Sequence, residues 1–183
     1  MYYKFRDFKN YKYLLDLILY QRLYSSSFKN LNDNFEGQFF SEIHNKRLRL
    51  NPLKEKHISI CSFSSVYKNH LMWSHYADGH RGLVIGFHIL EDNFKIHKVN
   101  YNGLTIIEDL PIKFEDKKDV FLNKIGDWNY ENEFRIITDN QCYINIEIKE
   151  IILGSEVSDL NKDLITKLIR YVNPKIEVRT YYD

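Results

Sequence analysis

Two hydrophobic periods take turns along this chain, and neither persists long enough to dominate it. Residues 2–6 alternate aromatic and basic side chains at the period of a strand, while residues 10–22 set Leu14, Leu15, Ile18 and Leu19 at helical spacing. The same reading predicts strands over 22–26, 57–63, 82–87, 95–101, 133–138, 142–148, 150–153 and 176–181. It predicts helices over 38–48, 67–77, 115–125 and 157–172, the last with Leu160, Leu164, Ile165, Leu168 and Ile169 on its apolar side. Segments 133–138 and 142–148 read as an antiparallel pair joined through Asp139-Asn140. Such mixing specifies an α+β fold with mixed or antiparallel sheets and flanking helices. No repeat, linker or low-complexity stretch divides the 183 residues, so one domain spanning 1–183 is expected.

Charge argues against two classes of partner. Lys and Arg total 26 against 25 Asp and Glu, which leaves no global field to attract nucleic acid or an anionic membrane. The densest basic run, Lys46, Arg47 and Arg49, reads as a solvated face. The apolar run from Tyr13 to Tyr20 is too short to span a bilayer and carries Asp16. Cys61 and Cys142 are too few for a disulfide framework, which with the absence of a basic, then apolar, leader points to a cytoplasmic protein.

Chemistry-bearing residues concentrate in two blocks. One, residues 71–82, holds Trp73, His75, Tyr76, Asp78, His80 and Arg81; the other, residues 128–135, holds Trp128, Tyr130, Glu131, Glu133 and Arg135. No glycine-rich dinucleotide motif, phosphate loop or serine nucleophile elbow occurs. His75 and His80 are five apart, not four, and lack the acidic neighbour of a zinc helix, so no metal is expected. Cys61 could act as a nucleophile with His75 as base, but its apolar strand reads as a structural site.

Three separated pieces fall in a suggestive order: Phe5-Arg6 ends the first strand, Ser64 closes the strand holding Cys61, and Glu131-Asn132-Glu133 opens a later one. This order resembles the Arg-Ser-Glu pattern of ADP-ribosyltransferases. The resemblance implies a split-sheet fold and NAD as substrate, with a protein as acceptor. Arg6 would clamp a phosphate or ribose, Ser64 would organise the site, Glu133 would be the catalytic carboxylate and Glu131 would position the acceptor. Tyr76, Trp73 and Arg135 would complete the nucleotide pocket, and His75 would orient a hydroxyl or serve as base.

A second resemblance covers residues 1 to about 154. Tyr3-Lys4-Phe5-Arg6, Asn32-Asp33-Asn34-Phe35-Glu36, Cys61-Ser62-Phe63-Ser64, Met72-Trp73-Ser74-His75-Tyr76-Ala77 with Gly82, and Trp128-x-Tyr130-Glu131-x-Glu133-x-Arg135 are similar to the bacterial domain-of-unknown-function family 2971. Asn34 stands where that family usually has Pro, a change that loosens the turn without moving Glu36. The resemblance implies a bacterial cytoplasmic protein, and residues 155–183 would complete its fold with a helix and a strand. The leading expectation is thus an NAD-dependent transferase or NAD glycohydrolase, with a toxin or phage-defence role a step beyond. Its rival is a non-catalytic ligand- or protein-binding module built on the same two blocks. A hydrolase using His75, Asp78 and a carboxylate is a third expectation.

Overall fold

A computed structural model describes residues 1–51, 54–55, 57–108, 112 and 114–182. In chain order the elements are β1 (Tyr2–Arg6), α1 (Tyr11–Tyr20), β2 (Arg22–Ser27), β3 (Gln38–Ser41), β4 (Lys46–Arg49), β5 (Ile58–Ser64) and α2 (His70–Tyr76). They continue as β6 (Leu83–Ile89), β7 (Ile96–Lys98), β8 (Ile106–Ile107), α3 (Phe114–Val120), β9 (Glu133–Asp139), β10 (Cys142–Leu153), α4 (Asp159–Val172) and β11 (Glu177–Thr180). Short 3-10 turns cover Phe28–Asn30 and Gly126–Glu131. The fold class is α+β, and the elements gather into two compact units.

The first unit comprises Met1–Leu23, Phe63–Asn93 and Tyr143–Asp183. Its sheet runs β1-β6-β10-β11, with β6 antiparallel to both neighbours and β11 parallel to β10. Leu83 to Phe87 of β6 are all buried, which is why that strand reads as an unbroken apolar run. A bulge between Ile148 and Glu150 interrupts the β6–β10 register. It leaves Glu150 opposite Gly86, where a Cβ would meet the Glu150 side chain at 2.6 Å.

Helix α1 buries Leu14, Leu17 and Ile18, and α4 buries Ile165 and Ile169; Leu19, Leu160 and Leu164 face solvent, so the inward stripes are narrower than the sequence suggests. Caps fix where helices start: Asn69 accepts from the Leu71 and Met72 amides, and Ser158 accepts from the Asn161 amide. Gln21, in the left-handed region after α1, ties that helix to the sheet by accepting from the Ile146 and Ile148 amides.

The second unit comprises Tyr24–Ser62 and Phe94–Cys142. Its main sheet runs β2-β5-β9-β7, with Ser27 opposite Ser59 and Lys98 opposite Phe134. A smaller sheet pairs β3 with β4 and, in parallel, with β8. Phe28, Phe39, Leu50, Ile58, Ile60, Ile107, Val120 and Phe121 form its core.

Two expectations need correction. Residues 38–48 form the β3–β4 hairpin, not a helix. The period is two, since Phe39 and Ser41 are buried between less buried neighbours, and Asn45 in the left-handed region makes the turn. Segments 133–138 and 142–148 do not pair through Asp139-Asn140. Strand β9 pairs with β7, while β10 runs on through residues 150–153 as one strand beside β6 and β11. Long-range partners that bury both strands outweigh a tight turn. Cys61 is buried and Cys142 half-buried, and neither is in a disulfide. No helix among the described residues is long and apolar enough to cross a membrane.

Ile60 is a buried member of the second unit's core. Its replacement by Ala should lower stability by about 2–5 kcal/mol, read from the urea unfolding midpoint, with an unchanged slope of the transition.

Candidate functional site

A buried acid–base network in the second unit gathers groups from four stretches of chain. Strand β9 places Glu133 and Arg135 on the same face, two residues apart, as strand periodicity requires. The loop ahead of β3 brings Glu36, the segment after α3 brings Lys124, and the 3-10 turn before β9 brings Glu131. None of the five is more than 6% exposed.

Arg135 is the hub, and all five of its N–H donors are used. Nε donates to Glu133 Oε1 at 2.8 Å and Nη2 to Glu133 Oε2 at 3.0 Å. Nη1 donates to Glu36 Oε2 at 2.9 Å and to the Phe121 carbonyl at 2.7 Å, while Nη2 also reaches Glu36 Oε1. The guanidinium therefore grips two carboxylates with two donors each, the arrangement its planar fork suits best. Lys124 Nζ donates to Glu131 Oε2 at 2.6 Å and Glu133 Oε2 at 3.1 Å, and lies 4.9 Å from the Trp128 ring centre. The Tyr101 hydroxyl accepts from the Glu133 amide at 2.8 Å.

Electrostatics follow from that geometry. Burial alone would push the Glu133 carboxyl up, but Arg135 and Lys124 outweigh it and hold it at about 2. Burial pulls the Lys124 amine down, and Glu133 and Glu131 more than reverse this. The Tyr101 phenol is pushed up to about 12, first by burial and further by Glu133 and Glu131. Three carboxylates face two cations, so the hydrogen-bonded set carries a formal charge of −1. At its edge stand the half-buried rings of Trp128 and Tyr130, with centroids 6.0 Å apart.

Of the expected site residues, the structure brings Glu131, Glu133 and Arg135 together in this network. Arg6, Ser64, Trp73, His75 and Tyr76 lie in the first unit. Arg6 ends β1, with Nη1 3.4 Å from the Phe5 carbonyl, and Ser64 ends β5 opposite Tyr3 and caps the next turn through the Val66 amide. Trp73 is fully buried, its indole N–H bound to the Tyr67 carbonyl at 2.7 Å and its ring 5.5 Å edge-on from Phe5. Tyr76 is half-buried at the end of α2, and His75 is exposed. The Asp78 carboxylate is held by Arg81 and Lys9 at about 2.

The histidine contact that forms joins His80 to His70, with 3.1 Å between His70 Nδ1 and His80 Nε2. Among the described residues no group of three His, Cys, Asp or Glu side chains is placed to hold a metal ion. Sequence reasoning passed over Lys124, assigned to a helix that stops at Val120, and Tyr101. Glu36 drew notice only within its turn, although its block and the Glu131–Arg135 block meet here. The chain was compared with protein-family models, curated proteins and solved structures, and nothing matched.

Replacing Arg135 by Met leaves Glu36 and Glu133 buried without their shared cation and should cost about 3–5 kcal/mol in urea unfolding. Because the Glu133 carboxyl is lowered from 4.5 to about 2 on folding, its contribution is fully present above 4.5 and is lost as pH falls toward 2. The stability gap between wild type and Glu133→Gln should therefore be constant above pH 5 and close in acid.

Proposed function

We propose that the chain is a non-catalytic binding module whose ligand site is the edge of the buried network, with a planar cationic group as ligand. The observation that carries this reading is that Glu133 and Arg135 already spend their hydrogen-bonding capacity inside the protein. Both Glu133 oxygens are engaged by cations, and Arg135 has no donor left to offer a phosphate. A transferase carboxylate must instead face the sugar as its bond to nicotinamide breaks. What the network offers outward is excess negative charge behind two aromatic rings, Trp128 and Tyr130, which suits a flat, positively charged ring. The resemblance to family 2971 supports one shared site, since three of its blocks supply Glu36, Ser62 and the residues from Trp128 to Arg135, all within the second unit.

NAD-dependent ADP-ribosyl transfer is the second reading, favoured by one feature. A carboxylate kept ionised in a buried place with net charge −1 would stabilise the cationic sugar formed as nicotinamide leaves. Two cysteines outside any disulfide are compatible with a reducing cytoplasm under either reading.

Both readings accept NAD and differ in what becomes of it. NAD should raise the melting temperature of the wild type, the rise should be lost in Trp128→Ala, and no nicotinamide should appear, with or without cell lysate as acceptor. Nicotinamide release that disappears in Glu133→Ala would replace the binding module by the transferase. An NAD-independent melting temperature without release would remove both.

A further inference from the structure

Three consecutive residues between α2 and β6, Asp78, Gly79 and His80, have φ of 51°, 62° and 66°. Two of them carry side chains, so the backbone holds strain that its surroundings must balance. Neighbouring backbone closes around the loop: the Gly79 amide donates to the Trp73 carbonyl at 3.1 Å, the Gly82 amide to Ala77 at 2.8 Å, and the Glu156 amide to the His80 carbonyl at 3.0 Å. A Cβ on Gly82 would overlap the Arg6 carbonyl, and one on Gly154 the His80 carbonyl.

From this loop the half-buried His80 ring packs inward. It stacks on Trp73 with centroids 4.9 Å apart and planes 5° from parallel, takes the edge of Tyr181 at 5.0 Å, and meets His70 Nδ1 through its own Nε2. Its other nitrogen, Nδ1, is buried and has no hydrogen-bond partner.

That asymmetry selects the tautomer. A proton on Nδ1 of His80 would have nowhere to go, so the proton sits on Nε2 and is donated to His70 Nδ1. The pair tolerates no further proton. Protonated His70 turns its Nδ1 into a donor facing the Nε2–H of His80, and the tautomeric shift that would restore an acceptor puts a proton on the partnerless Nδ1. Protonated His80 needs that same buried Nδ1–H.

Of the charged groups near the pair, Glu156, ahead of α4, favours a charged His80, and Asp78 on the loop is paired with both Arg81 and Lys9. Tyr181 contributes a ring edge. Burial, then the facing His70, outweigh Glu156 and keep His80 below the ordinary histidine range.

We propose that the His70–His80 pair is an acid-released latch that holds the loop from Ala77 to Gly82 against Trp73. It is closed while both imidazoles are neutral and opens when either takes a proton. Since His80 binds its proton less readily in the closed state, the closed state is fully stable above the ordinary pKa of about 6.5 and weakens as pH falls below it. Opening frees Asp78 and His80 from the left-handed region and uncovers the Trp73 face.

Amide hydrogen exchange at Gly79 and Glu156, corrected for intrinsic rates, tests this directly. Between pH 7.5 and 5, their protection in the wild type should fall about tenfold or more while Val84 and Ile85 of β6 keep theirs. His70→Gln keeps an acceptor for the His80 Nε2–H and leaves His80 as the titrating member of the pair, so there the protection should be high at pH 7.5 and still fall at pH 5. His70→Ala should leave the two amides weakly protected throughout. Protection independent of pH in the wild type, or wild-type protection at pH 7.5 in His70→Ala, would overturn the latch.

Discussion

Arg135 cannot be buried alone. Moving a guanidinium out of water costs many kcal/mol, and only carboxylates that bring opposite charge and matched geometry offset it. Once β9 places Arg135 inside the second unit, Glu36 must arrive from a loop almost a hundred residues earlier, Glu133 must sit two residues away on the same face, and Phe121 must end its turn with its carbonyl turned inward. Glu133 then draws in Lys124, which draws in Glu131. The β3 hairpin, the α3 segment and the turn before β9 are thereby fixed in place by one charge. The apolar core of the same unit constrains register less tightly, because apolar contacts tolerate sliding and a five-donor fork does not.

The same network shows how residues that look catalytic in a sequence can instead neutralise buried cations. Glu-x-Glu before an apolar strand is a good place for reactive carboxylates, and also a good place for the acids that neutralise a buried Arg on that strand. The two cases differ in whether the oxygens face outward. Here they face Lys124 and Arg135. Trp73 teaches a similar lesson: an indole in a block rich in His and Tyr suggests a stacking wall, and it does stack, though on His80 within its own unit.

Strand β6 and helix α4 were legible because each buries along one clear period, five consecutive apolar residues in one and a repeating stripe in the other. The β3–β4 hairpin was misread because Arg47, Leu48 and Arg49 lie on an edge strand whose side chains are largely outside, where burial writes no pattern. The β9–β10 pairing was misread because partner choice depends on residues far away in sequence, which no local window contains. Glu131, Glu133 and Arg135 could be picked out as chemically dense. Lys124 could not, since a lysine beside an expected helix looks like any solvated lysine until its carboxylates are placed.

Neither unit is continuous in sequence: the first is built from three stretches and the second from two. The consequence falls on the growing chain. Strand β6 is made early, yet its partner β10 starts at Cys142 and β11 later still. For some fifty residues of synthesis, Leu83 to Phe87 present an apolar strand edge paired only to β1, the kind of edge that recruits a second chain. The second unit has nearly all its residues by Cys142 and can close first, so the ion network forms while the first unit still waits for its sheet. The hazard in making this protein therefore lies in the interval before Cys142–Leu153 arrives, and a chain stopped in that interval would aggregate through β6.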